Sequence, residues 1–164
     1  MWARAYVEQA RSDWDTGKVV TATKGCAACH WLHYLQMTTE KLGKAALLRS
    51  GGDLEAIKTS HKAFVRFLRV AARSPSLRQM LGYNVQQLKA YVDEVLPIAE
   101  GIERLAPALA QQGPNAEYPW ETPAGAIVAP ASHNFSVLED LRKPQGRKLL
   151  RLILRVLDNF DAIF

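Results

Sequence analysis

An all-α fold is predicted for this 164-residue chain by three observations. Apolar residues recur at steps of three and four over nearly its whole length, helix-capping and helix-stopping residues punctuate that pattern, and no stretch keeps the period of two that marks a strand. The length suits a single domain over residues 1–164 with one core, and 48% apolar content is ordinary for a globular protein. The expected architecture is an up-and-down bundle of four to five helices with a long ordered loop before the last one.

The elements follow in order. Residues 2–19 carry Tyr6, Val7, Ala10 and Trp14 among Glu8, Arg11 and Asp13, which makes a first amphipathic helix whose end Gly17 weakens. Thr21 or Thr23 can cap a second helix, and Trp31, Leu35, Thr38, Leu42 and Ala45 give it a core-facing stripe that stops near Gly51 and Gly52. This helix is expected at the centre of the bundle. Thr59 or Ser60 can cap a third helix, with Phe64, Val65, Phe67, Leu68, Ala71 and Ala72 on one side. On the other side, Lys62, Arg66, Arg69 and Arg73 fall within about 60° of one another at 100° per residue, as either a solvated face or a polyanion-binding surface, while the angle of His61 falls in the apolar arc and points it inward or at a rim.

Ser74 and Pro75 end that helix, a short turn follows over residues 76–81, and a long helix is expected over residues 85–111. Leu88, Val92, Val95, Ala99, Ile102, Leu105 and Leu109 face inward, while Pro97 and Pro107 kink or segment the helix. Residues 113–134 hold four prolines and no apolar period, so they form a loop longer than connection alone requires. The last helix begins at Ser136 or Gly146 and runs to Asp161, with Leu149, Leu152, Ile153, Val156 and Phe160 inside and Arg147, Lys148, Arg151 and Arg155 outside.

Twenty-one Lys and Arg against sixteen Asp and Glu give a formal charge of +5, which favours some attraction to polyanions. No apolar run approaches the roughly 18 to 20 residues that span a bilayer, and the first residues lack the basic-then-apolar order of a signal peptide. A cytoplasmic protein without membrane attachment is expected. Cys26-Ala27-Ala28-Cys29-His30 matches the short haem-attachment pattern, but it lies in a helical, Trp- and Leu-rich setting with no export signal. One straight helix cannot place Cys26, Cys29, His30 and His33 at the corners of a tetrahedron. The run is therefore expected to be structural, with no metal and no cofactor.

The second helix over residues 31–48, the Ser60-His61 pair at the opening of the third, and Tyr118-Pro119 in the long loop together resemble HEPN domains. These are small all-helical modules of prokaryotic toxin–antitoxin, stress and defence systems. The resemblance implies RNA, nucleotide or protein binding, commonly as a homodimer, and for some members partnership with a nucleotidyltransferase. It makes His61 the candidate catalytic or ligand-facing residue, against the alternative of a core histidine bonded to a neighbouring backbone or to Glu40. It adds Tyr118 and Trp120 as aromatics that either stack on a base or pin the loop. Ribonuclease members carry an Arg four to six residues before a His. None of the four histidines here has one: Lys24 precedes His30, Cys29 neighbours His33, residues 54–57 precede His61, and Ile127 and Val128 precede His133. The expected function is a binding module without the usual ribonuclease motif. The alternatives are an atypical metal-independent ribonuclease, in which His61 meets an Arg brought near by folding or dimerisation, and a purely structural partner subunit.

Overall fold

The computed structural model describes residues 1–111 and 113–164. Five helices make the bundle: α1 (Trp2–Ala22), α2 (Ala28–Arg49), α4 (Ala63–Ala71), α6 (Val85–Glu103) and α9 (Pro144–Asp158). Shorter pieces connect them: α3 (Leu54–Lys58), α5 (Pro75–Leu81), α7 (Pro107–Ala110), α8 (Ser136–Arg142) and α10 (Phe160–Ile163). The fold is all-α, and its only described strands are β1 (Trp120–Glu121) and β2 (Ile127–Val128), an antiparallel pair that sets Trp120 opposite Val128. None of the described helices is long and apolar enough to cross a membrane.

The central position of α2 follows from its sequence, since Leu35, Thr38, Leu42 and Ala45 of its expected stripe are buried, while Trp31 is half-buried and Leu32 beside it is buried instead. It packs along α1 on one side and on α4 and α6 on another. Gly17 does not end α1. It is a buried notch in which a Cβ would lie 2.7 Å from the Trp31 ring, so glycine lets the two helices close on each other. Thr21 and Thr23 do not cap α2 either. Their hydroxyls donate to the carbonyls of Gly17 and Val19, at 2.9 and 2.8 Å, and so bond back onto α1. The N-cap of α2 is Ala27, which supplies no side-chain bond.

Gly51, at φ +83°, turns the chain out of α2, a conformation that glycine adopts without steric cost. Asp53 then accepts from Ala56 N at 2.8 Å and caps the short α3. The third principal helix, α4, opens at Ala63 rather than at Ser60. The expected apolar residues Phe64, Val65, Phe67, Leu68 and Ala71 are buried on it. The helix expected over residues 85–111 is divided: α6 ends at Glu103 and Pro107 starts the separate α7, whereas Pro97 sits inside α6 and does not end it. α6 opens with a capping box, in which Asn84 accepts from Gln87 N and Gln87 accepts from Asn84 N.

The two alternative starts of the last helix correspond to two helices. Ser136 opens α8, and α9 follows with Pro144 in its first turn. Gly146 sits so close to the end of α8 that a Cβ would fall 2.3 Å from Asp140 O. Leu149, Leu152, Ile153 and Val156 on α9 and Phe160 on α10 are buried, joining residues of α1, α2, α4, α5, α6 and α8 in one hydrophobic cluster. A small satellite of Leu47, Ile57 and Ala63 seals the α2–α3–α4 corner.

Candidate functional site

At that corner a set of polar residues is drawn into the bundle, and the cause is Gly43. A Cβ at this position of α2 would lie 2.6 Å from Ala63 C and Phe64 N, so the missing side chain lets the first turn of α4 rest on the α2 backbone. Glu40 and Lys44, on the adjoining turn of α2, then meet the segment before α4. Glu40 Oε1 lies 2.8 Å from Lys44 Nζ, and Glu40 Oε2 accepts from Gln36 Nε2 at 2.9 Å. His61 Nδ1 reaches the same Oε2 at 3.2 Å. Lys44 Nζ also donates to Lys58 O at 2.9 Å, which ties α3 to the cluster.

Both charges of the Glu40–Lys44 pair are largely removed from water, with side chains 14% and 7% exposed. Burial alone would raise the Glu40 carboxyl, but the Lys44 ammonium, helped by His61 and Gln36, holds it below the usual carboxylate range. Glu103, at the end of α6, has the opposite balance. Burial pushes its carboxyl up, while Oε1 accepts from Phe64 N and Val65 N at 3.1 Å each. Two of the N–H groups left unpaired at the start of α4 are thereby satisfied. Glu103 thus performs the capping that the sequence assigns to Ser60, whose hydroxyl only accepts a 3.3 Å bond from Lys62 N. The start of α4 is thus occupied by the chain's own carboxylate, in the place where a bound phosphate would sit.

His61 precedes α4 and is exposed, so the helical-wheel angle that turned it toward the apolar arc does not apply. Its Nδ1 faces the Glu40 carboxylate and its Nε2 has no hydrogen-bond partner among the described residues. A carboxylate-oriented imidazole of this kind can exchange a proton or bond a ligand. The guanidinium that the usual ribonuclease motif sets beside its histidine is missing from the hydrogen-bond and ion-pair partners of His61 and Glu40 among the described residues, where the only cation besides His61 is Lys44.

Beyond His61 the surface is basic. Arg66 and Arg69 are exposed along α4, with Lys62 exposed just ahead of it and Arg73 exposed in the turn just after it, so the expected four-residue stripe keeps only its two central members on the helix. Arg69 pairs with Glu100 of α6 at 3.2 Å, and Arg104 approaches the other oxygen of Glu100 at 4.0 Å. Lys62, Arg66 and Arg73 form no ion pair among the described residues. Five exposed cations thus lie at or beside α4 and the end of α6, with Glu100 paired to Arg69 and approached by Arg104, and with the buried Glu103 carboxylate near Lys62. Arg104 was not visible as a member in the sequence, because α6 delivers it from thirty-five positions beyond Arg69.

The two loop aromatics separate. Trp120 is 8% exposed and packs edge-on against His133, with centroids 4.9 Å apart, and beside Phe135; it pins the loop. Tyr118 is 60% exposed. Asn115 Oδ1 accepts from Glu117 N and Tyr118 N, at 3.0 and 2.7 Å, and so folds the loop locally. Glu117 Oε1 lies 3.4 Å from His33 Nδ1, an ion-pair distance without hydrogen-bond alignment. That anchor is two helical turns, about 10 Å, from Glu40 along α2, so the structure does not gather Tyr118 with the Glu40–His61 pair.

The two cysteines also differ. Cys26 is exposed and Cys29 is buried, where burial pushes the thiol up. Among the described residues no three His, Cys, Asp or Glu side chains converge as metal ligands would. Cys26→Ser should change stability by less than about 0.5 kcal/mol. Cys29→Ser, which puts a hydroxyl into the core, should cost about 1–3 kcal/mol, and urea unfolding of the two variants measures the contrast.

The chain matches no family model, no curated protein and no solved structure.

Proposed function

We propose that the protein is a HEPN-like binding module whose α4 face engages single-stranded RNA, acting in a prokaryotic toxin–antitoxin, stress or defence setting. The observation that carries this reading is the run of exposed cations at and beside α4, Lys62, Arg66, Arg69 and Arg73, of which Arg69 alone has an ion-pair partner among the described residues, Glu100. Like charges on neighbouring helical turns repel by a few tenths of a kcal/mol per pair, and a phosphate backbone relieves that repulsion. In a homodimer of the kind the resemblance implies, the His61-bearing segments of two chains would line one cleft, and a nucleotidyltransferase is the partner the family resemblance points to.

Fluorescence anisotropy with a labelled single-stranded RNA tests the reading. Four phosphate contacts would give a salt slope of about −3 on a double-logarithmic plot. Arg66→Glu with Arg73→Glu should weaken binding by more than about tenfold and flatten the slope by about 2. Arg69 is left alone because a glutamate there would face Glu100 and disturb the fold. A double variant that binds like the parent sinks the proposal.

One observation favours a second reading, weak ribonuclease activity: the His61 ring is held by Glu40 with its other nitrogen free. RNA incubated with the protein and a chelator should stay intact under the binding reading. Cleavage that disappears in His61→Ala would establish the second.

A further inference from the structure

On the far side of α2 from the polar corner, the end of α1 and the start of α2 face the α8–α9 hairpin across a groove of about 750 Å³. This volume is within the range of small-molecule sites. Its walls are Trp14, Trp31, Leu138, Leu141, Leu150 and Leu154. Trp14 is 93% buried, and its indole N–H has no acceptor among the described residues. Buried donors of this kind are nearly always paired in folded proteins, and the orphan here belongs to a ring that lines a cavity.

The charged lining residues, Lys18 and Arg142, are both cations, and no acid lines the groove. Lys18 already shares Asp15 at 2.7 Å, whereas the Arg142 side chain forms no ion pair among the described residues. An apolar body would cover the tryptophan and leucine walls, and one negative charge would suit the cationic rim. We propose that this groove binds a small amphipathic carboxylic acid, at a site separate from the α4 face and independent of RNA binding.

Dodecanoate, kept below its micelle concentration, is the probe. In a ¹⁵N-labelled sample it should shift the indole N–H signals of Trp14 and Trp31 saturably and leave those of Trp2 and Trp120 in place, each assigned by Trp→Phe replacement. It should also slow iodoacetamide alkylation of Cys26, an exposed thiol that lines the groove. Arg142→Ala should weaken dodecanoate binding about tenfold, the size of one charge-assisted hydrogen bond, without weakening dodecanol. Ala28→Phe, at an exposed lining position, should abolish the shifts while the Trp2 and Trp120 signals report an intact fold. Equal affinity for dodecanol and dodecanoate overturns the proposal, as does equal movement of all four indoles. A groove occupied instead by a second copy would give a dimer that Ala28→Phe dissociates and dodecanoate does not, and that outcome also overturns it.

Discussion

Lys44→Met should destabilise the protein by about 3–5 kcal/mol at neutral pH, the usual cost of breaking a buried ion pair by removing one partner. Methionine replaces the aliphatic stem of lysine and keeps most of its packing. What it removes is the cation 2.8 Å from Glu40 and the donor to Lys58 O. Glu40 then faces the burial that already acts to raise its carboxyl, with only Gln36 and His61 to offset it. The dependence on pH identifies this cause. In the parent, Glu40 is held below its unfolded value, so its contribution is present above the unfolded value and is lost as pH falls through the folded one. In the variant the folded value lies above the unfolded one, so the penalty is greatest at neutral pH and fades as acid protonates the carboxyl. Urea unfolding at pH 7 and pH 4 should show the gap between parent and variant closing toward acid. A gap of equal size at both pH values would mean that lost packing, not an uncompensated carboxylate, causes the destabilisation.

The elements of this fold that the sequence made legible are those specified by neighbours three and four residues away. The apolar sides of α2, α4, α6 and α9 are such patterns, and each named side is buried with few exceptions. Helix starts were less legible where the capping group comes from elsewhere in the chain. Ser60 reads as a cap for α4, yet Glu103 satisfies two N–H groups there and Ser60 satisfies none of the helix. With α4 running from Ala63 to Ala71, the wheel no longer applies to His61, Lys62 or Arg73, and of the two places expected for His61, inward or at a rim, it takes an exposed one. The candidate site shows the same division. Arg66 and Arg69 share a helix and were readable as one face, whereas Arg73 lies in the turn after α4, and Arg104 and Glu100 approach only because α6 packs on α4. The Trp14 groove has no local signature either, since its walls come from α1, α2, α8 and α9.

Gly43→Ala should destabilise the protein by about 2–3 kcal/mol, against the direction that helix propensity alone would give. In an exposed helix interior, replacing glycine with alanine stabilises by about 1 kcal/mol, because it removes backbone freedom from the unfolded chain. At Gly43 the new Cβ would stand 2.6 Å from Ala63 C and Phe64 N and 2.7 Å from Ala63 O. All three are backbone atoms that cannot rotate away, so α4 must retreat from α2, and forced overpacking of this kind costs about 1–3 kcal/mol or more. Retreat also stretches the bonds that converge there, from His61 to Glu40 and from Phe64 and Val65 to Glu103. Two other glycines calibrate the effect. Gly17→Ala meets the Trp31 ring at 2.7 Å, a side chain able to shift, and should cost less. Gly101→Ala meets only Val137, at 3.5 Å, so propensity should prevail and stability should be unchanged or rise by up to about 1 kcal/mol. Urea unfolding of the three variants should therefore rank Gly43 below Gly17 and Gly17 below Gly101. A Gly43→Ala protein as stable as Gly101→Ala would show that the first turn of α4 does not rest on the α2 backbone, and the polar corner built on that contact would have to be redrawn.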